Sequence, residues 1–170
     1  MRHQSELVHP CTNEEKMAER NNAVIIKNPN ITQKNMNSLD MARVALFNYM
    51  IGNTDWSVPL QHNIKVLKTL QVFSEQGIPV AFDFDYSGLV STVYATPAEA
   101  LPIKSVSERY YMGLCLDDEA IRPVIDEFGG KQEQLISAID DFEYLSRSIG
   151  CLVIKMMPPV GLSSNRFAAG

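Results

Sequence analysis

Two strand-like runs around a short polar turn constrain this chain more than any other feature in it. The first, Asn63-Ile64-Lys65-Val66-Leu67-Lys68-Thr69-Leu70, is rich in β-branched and aliphatic residues. The second, Ile78-Pro79-Val80-Ala81-Phe82-Asp83-Phe84-Asp85, follows the turn Ser74-Glu75-Gln76-Gly77. Such runs around a Gly-containing turn form an antiparallel hairpin. Pro79 falls at the start of the second strand, where a missing N–H is tolerated. Antiparallel pairing sets the start of one strand beside the end of the other, so Asn63 is expected near Asp83 and Asp85. Alternation then puts Val80, Phe82 and Phe84 on a core face, with Ala81, Asp83 and Asp85 on the opposite one.

Two carboxylates on one face beside a side-chain amide make an all-oxygen site of the kind hard divalent cations such as magnesium choose. Upstream, Leu39, Ala42, Leu46, Tyr49 and Met50 recur at helical spacing. Ser38 is the expected N-cap, and Gly52 stands where a left-handed residue ends a helix. The spacing predicts a helix over 39–51 that delivers the chain into Asn53-Thr54-Asp55-Trp56. Asp55, on the loop before the hairpin, is placed to accept a proton from a substrate hydroxyl. Each residue also has a plainer reading. Asp55, Asn53 and Thr54 are good at bonding their own turn backbone. His62 reads as a surface or satisfied histidine and is left out of the catalytic set, and Trp56 reads as a packing anchor. Glu14-Glu15 and Asp140-Asp141 read as solvated helix charges. Only the joint spacing of Asp55, Asn63 and Asp83 points to chemistry.

Base, amide and acid follow one another in the order used by the protein-kinase-like fold. There a catalytic-loop Asp precedes a metal-binding Asn, a hairpin and a metal-binding Asp. The stretch Leu46-Phe47-Asn48-Tyr49-Met50-Ile51-Gly52-Asn53-Thr54-Asp55 resembles the helix-to-catalytic-loop passage of HipA-type kinases and of type II phosphatidylinositol-kinase relatives. His62-Asn63-Ile64-Lys65 looks like the end of that loop, and Pro79-Val80-Ala81-Phe82-Asp83 is similar to the strand presenting their second metal ligand. Asp83-Phe84-Asp85 resembles the Asp-x-Asp strand of CotH-like spore-coat kinases. The resemblance covers about residues 39–90 and continues more weakly through Ser105-Val106-Ser107-Glu108-Arg109-Tyr110-Tyr111. It implies Asp55 as catalytic base, Asn63 and Asp83 as magnesium ligands, and Asp85 as an auxiliary ligand or hydrogen-bonding support. It further implies Mg2+ and ATP as cofactors, and as partners a nucleotide and a hydroxyl acceptor of unknown class.

Two departures accompany it. The step from Asp55 to Asn63 is eight positions, so Ser57-Val58-Pro59-Leu60-Gln61 is expected to bulge outward. No Gly-rich loop and no strand lysine precede Asp55. The expectation is therefore an α+β chain, a mostly helical kinase-like C-terminal lobe with a central β-hairpin and the N-terminal lobe absent. Such a chain, read as a fragment of a longer product or a degenerate relative, is expected to be weak or inactive as an enzyme.

Residues 1–37 read as a polar N-terminal arm with a helical piece over 13–21 and an apolar run, Ala23-Val24-Ile25-Ile26. The lobe is placed at 38–150, with a catalytic loop over 52–63, the hairpin over 63–86 and a helical part over 96–149. In that part, Thr96-Pro97-Ala98-Glu99 and Ser105-Val106-Ser107-Glu108 have the form of capping boxes. A helix is predicted over 117–128 despite Pro123, stopped by Gly129-Gly130. Leu135, Ile139, Phe142, Leu145 and Ile149 make an apolar stripe on a helix over 131–148. Residues 151–170 read as a loosely held tail.

At 170 residues and 45% hydrophobic, the chain suits one globular core and excludes disorder or low complexity. Fifteen basic against twenty acidic residues give a net charge of −5, without the basic footprint of nucleic-acid binding. No stretch approaches the roughly 20 apolar residues of a membrane span. The first residues lead into no apolar signal region, and the cytoplasm is the default compartment. Cys11, Cys115 and Cys151 suggest neither a disulfide framework nor a zinc site. Two rivals stand beside the kinase-like reading. One is a non-catalytic interaction or structural module of the same ancestry. The other is a haloacid-dehalogenase-type phosphatase with Asp83 as nucleophile, which requires a parallel α/β unit, as a glycosyltransferase-like Asp-x-Asp site also would.

Overall fold

Asn37 starts the helix on which the molecule is built. Its side chain accepts hydrogen bonds from the Leu39 and Asp40 backbone N–H groups, so the cap stands one residue before the expected Ser38. The computed structural model describes residues 14–28, 30–70 and 76–140. In chain order these form α1 (Glu14–Arg20), β1 (Ala23–Ile25), α2 (Ser38–Ile51), β2 (Ile64–Thr69), β3 (Ile78–Ala81), α3 (Asp118–Gly130) and α4 (Gln132–Asp140), with a 3₁₀ turn over Gln33–Asn35. The class is α+β, and the sheet is antiparallel in the order β1-β2-β3.

The expected hairpin forms, with Ile64 opposite Ala81 and Leu67 opposite Ile78. Pro79 lies on the outer strand of the sheet, which explains its tolerance there. Strand alternation then sorts β2 onto two cores. Ile64 and Val66 are buried with Met36, Met41, Ala45, Trp56 and Val58 between the sheet and α2. Leu67 points the other way, against Ala18 of α1 and Ala23 of β1. A further core joins α2 to α3 through Ala42, Leu46, Met50, Ile121 and Val124. The order of layers is α1, sheet, α2, α3.

Residues 14–37 are not the peripheral arm expected of them. β1 pairs with β2 along Ala23 to Ile25, and Ile31 and Met36 are buried in the core beneath α2. Met36 also bridges Gly77 in parallel, with Asn37 N–H donating to the Gly77 carbonyl at 2.8 Å. Gly77 serves this close approach, because a Cβ there would meet Met36 Cε at 3.0 Å and collide with Val66.

The helical part begins later than expected. Residues 82–117 form turns and bends without a helix, which corrects both the expected start at 96 and the mostly helical character. The second predicted capping box does not form: Glu108 Oε1 accepts from Lys104 N–H at 2.9 Å instead of from Ser105 N–H, and Ser105 Oγ accepts from Ser107 N–H at 3.2 Å instead of from Glu108 N–H. One backbone turn closes, Glu108 N–H to the Ser105 carbonyl at 3.0 Å, and it does not propagate. The Val106 and Ser107 carbonyls take the Arg109 guanidinium, and a continuing helix would have needed both. The first box ends at one turn, Leu101 N–H to Ala98 C=O, because Pro102 restricts the residue before it. Further on, α3 is capped by Asp117, contains Pro123 as expected, and runs through Gly129 and Gly130 to Lys131. The expected helix past residue 140, the tail over 151–170, the arm's first 13 residues, Cys11, Cys151 and the turn residues Ser74 and Glu75 lie outside the described residues.

Arg43 ties α2 to α3. Its Nε meets Glu127 at 2.7 Å, its Nη1 meets Asp40 at 2.7 Å, and Lys131 meets Glu127 at 2.8 Å. The Lys131 and Arg43 hydrogen bonds hold the Glu127 carboxyl down at about 2, against an ordinary 4.5. A depressed carboxyl stabilises the fold above its unfolded value, and that contribution is lost as pH falls toward the folded one. The melting-temperature difference between wild type and Glu127→Gln is thus expected in full at neutral pH. It should shrink below about pH 4.5 and close near pH 2, as read by thermal melts across that range.

Candidate functional site

A buried chain of amides leads from α2 to Asp55. Gly52 ends the helix in the left-handed region, at φ 68° and ψ 36°, and turns the backbone toward the site. Asn48 and Asn53 are each only 1% exposed. Asn48 Nδ2 donates to the Val44 carbonyl at 2.8 Å, and its Oδ1 accepts from Asn53 Nδ2 at 2.8 Å. Asn53 Oδ1 in turn accepts from the Asp55 backbone N–H at 3.1 Å. The turn bonding foreseen for this stretch therefore belongs to Asn53, which leaves the Asp55 carboxylate for other partners.

Those partners stand at the far end of the loop. Ser57 and His62 exchange both backbone hydrogen bonds, at 2.9 and 3.0 Å, which closes the eight-residue step into a tight lobe. Leu60 at its tip is 80% exposed, as an outward bulge requires, whereas Val58 turns inward and is fully buried. Gln61 Nε2 anchors the lobe to the Ile26 and Asn28 carbonyls at 3.3 and 3.2 Å. His62 Nε2 then lies 2.9 Å from Asp55 Oδ1, and Asn63 Nδ2 donates to Asp55 Oδ2 at 2.9 Å and to its carbonyl at 2.8 Å. Asp55 and Asn63 are brought together as expected. His62 is exposed, as expected, and its ring is also in contact with the candidate base, a contact that sequence reasoning left out of the site.

The second acid group arrives by a different route from the one alternation suggested. β3 ends at Ala81, and the last ladder bond runs from Phe82 N–H to the Asn63 carbonyl at 3.1 Å. Asp83 then takes φ 57° and Asn63 takes φ 50°, both left-handed. Asn and Asp enter that region most readily among residues with a Cβ. The pleat is broken, so Phe82 and Phe84 do not share a face as expected. Phe82 lies under the Lys65 ammonium, 5.4 Å from its ring centroid, and Lys65 pairs with Glu14 of α1 at 2.7 Å. Phe84 instead packs edge-on against Phe47 of α2, at 5.4 Å.

Asp83 and Asp85 are nevertheless joined, by the turn rather than by strand alternation. Partial desolvation raises the Asp83 carboxyl above its ordinary 3.8, and so do the charge and hydrogen bond of Asp85 and the charge of Asp55. Asp83 is an exposed residue, so the neighbouring carboxylates carry more weight here than burial does. Asp85 has further partners that no local motif announced. Tyr94 Oη donates to its Oδ2 at 3.0 Å and Thr92 Oγ1 to its carbonyl at 3.0 Å, with the Tyr86 and Tyr94 rings 5.4 Å apart.

Chemically, the site offers a carboxylate oriented by an imidazole and an amide, beside Asp83, whose proton affinity is raised by desolvation and by the neighbouring Asp85 and Asp55 carboxylates. The carboxylate repulsion is what a divalent cation relieves, and Asp83, Asp85 and the Asn63 amide oxygen are the hard donors suited to one. Among the described residues, however, no group of three or more His, Cys, Asp or Glu side chains is gathered closely enough to hold a metal by itself. No helix among them is long and apolar enough to cross a membrane. The chain matches no family model, no curated protein and no solved structure.

Two measurements check this geometry. Asn53→Ala removes a donor from buried Asn48 and an acceptor from Asp55, and is expected to cost about 1–3 kcal/mol in denaturant unfolding. Asp85→Asn should return the Asp83 carboxyl toward 3.8 in a carboxyl NMR titration. A raised acid is held more tightly by the native state, so wild-type stability falls as pH rises from 3.8 through the raised value. Asp85→Asn should flatten that fall.

Proposed function

We propose that the chain is a kinase-like phosphotransferase domain that acts on ATP and a hydroxyl acceptor with Mg2+. The observation that carries this reading is the convergence of Asp55, Asn63, Asp83 and Asp85 from two separated stretches at the end of one hairpin. Asp55 would orient the acceptor hydroxyl and take its proton, its carboxylate held by His62 on one oxygen and Asn63 on the other. Asn63, Asp83 and Asp85 would hold the cation, which when bound neutralises phosphate charge. Phosphoryl transfer rests on positioning and charge neutralisation. No Gly-rich phosphate loop precedes Asp55, so turnover by this chain alone is expected to be weak.

A second reading, a non-catalytic interaction module, is favoured by one observation. The Asp55 and Asp85 carboxylates already have protein partners, in His62, Asn63 and Tyr94. The phosphatase reading is less supported, because among the described residues the strand leading to Asp83 pairs antiparallel with β2.

Thermal melts with Mg2+ and ATP separate these readings. Ligand at a hundredfold excess over its Kd stabilises by about 2.7 kcal/mol, so wild type should melt several degrees higher while Asp83→Ala does not respond. No response in either protein favours the module. Hydrolysis of a generic phosphomonoester that is lost in Asp83→Asn would restore the phosphatase.

A further inference from the structure

Arg109 carries a guanidinium without an acidic partner among the described residues. Its Nη1 donates to the Ser107 carbonyl at 3.1 Å and reaches the Val106 carbonyl at 3.5 Å. Its Nε and Nη2 are shut away from solvent and meet no hydrogen-bond partner among the described residues. Two glycines make room for the group. A Cβ on Gly52 would collide with Nη1, and one on Gly88 would stand 3.4 Å from it while colliding with the Val106 carbonyl. The guanidinium is thus wedged between the end of α2, the loop after Asp85 and the Val106 turn. Gly88 and Leu89 N–H bind the Gly52 and Ile51 carbonyls at 3.2 and 3.0 Å across the same junction.

The two unmatched nitrogens are not an arbitrary pair. Nε–H and the adjacent Nη2 N–H form the side-on fork of an arginine, two parallel donors spaced for the two oxygens of a carboxylate or phosphate. A neutral carbonyl satisfies one such donor, whereas an oxyanion satisfies both and balances the charge. Leaving a charged fork buried and unmatched is among the costlier things a fold can do. Burial accordingly depresses the Arg109 proton affinity.

We propose that Arg109 binds an oxyanion, a carboxylate or phosphate group, bidentately on its Nε/Nη2 edge. The site is separate from Asp55 and does not depend on the phosphotransfer reading. Ligation there would clamp Gly52, which opens the Asp55 loop, to Gly88, which follows Asp85.

The test is the arginine Nε–H signal in ¹H–¹⁵N spectra of the full chain, assigned through bonds in wild type and confirmed by its loss in Arg109→Lys. A bidentate oxyanion shifts this proton downfield and slows its exchange. If the shifted signal is present without added anion, the oxyanion is a carboxylate of the polypeptide itself. If it appears only on titration with inorganic phosphate, the oxyanion is a solute. In that case Arg109→Lys, which keeps the charge but not the fork, should weaken phosphate about tenfold through loss of one charge-assisted hydrogen bond. A signal that stays at the free-arginine position with and without phosphate overturns the proposal, and so does equal phosphate binding by wild type and Arg109→Lys.

Discussion

The hydrogen-bonded relay from Val44 through Asn48 and Asn53 to the Asp55 backbone fixes everything around it. Two amides with almost no solvent access are stable only when each polar atom finds its partner, so the relay tolerates few alternative arrangements. Its consequence is geometric. The loop leaves α2 in one direction, the left-handed Gly52 sets that direction, and Asp55 enters the site with its main chain already tied. Its carboxylate is then oriented from the opposite end by His62 and Asn63. A carboxylate held from both sides has few orientations left to lose.

The second constraint is the place where the hairpin stops. The ladder ends with the Phe82–Asn63 bond, and on both strands the adjoining residue adopts a left-handed backbone. A conformation of that kind costs about 1 kcal/mol or more even where it is tolerated. Here it turns Asn63 toward Asp55 and brings Asp83 together with Asp85. The strain and the clustered like charge fall at one point, where both oppose folding. Tyr94 and Thr92 hold Asp85 in the meantime.

The sheet supports this end of the molecule from below. β1 and the segment after it brace the loop through Gln61, so the N-terminal residues act on the position of His62 and Asn63. On the other side, the irregular stretch over 86–117 lies across the C-terminus of α2, where Gly52 and Gly88 close around Arg109. The acid-bearing loops are therefore held between an added strand and a buried cation.

Local pattern by itself determined the helix over residues 39–51, its glycine stop, the hairpin, Pro79 near the start of its second strand and the closeness of Asn63 to Asp83. Each of these follows from periodicity or from one residue's backbone preference, which act within a few positions. What tertiary structure alone decided lies at longer range. Ala23–Ile25 became a strand because β2 offered it an open edge. The capping box expected at Ser105 did not form, its side chains bonding one residue out of register, and Arg109 meets the Val106 and Ser107 carbonyls beside Gly52. His62 reached Asp55 through a loop closure that no motif encodes. Asp83 and Asp85 met through a broken pleat, against the alternation that had suggested the pair. A propensity reports the cost of a conformation for one residue, whereas these outcomes depend on which distant groups compete for the same hydrogen bonds.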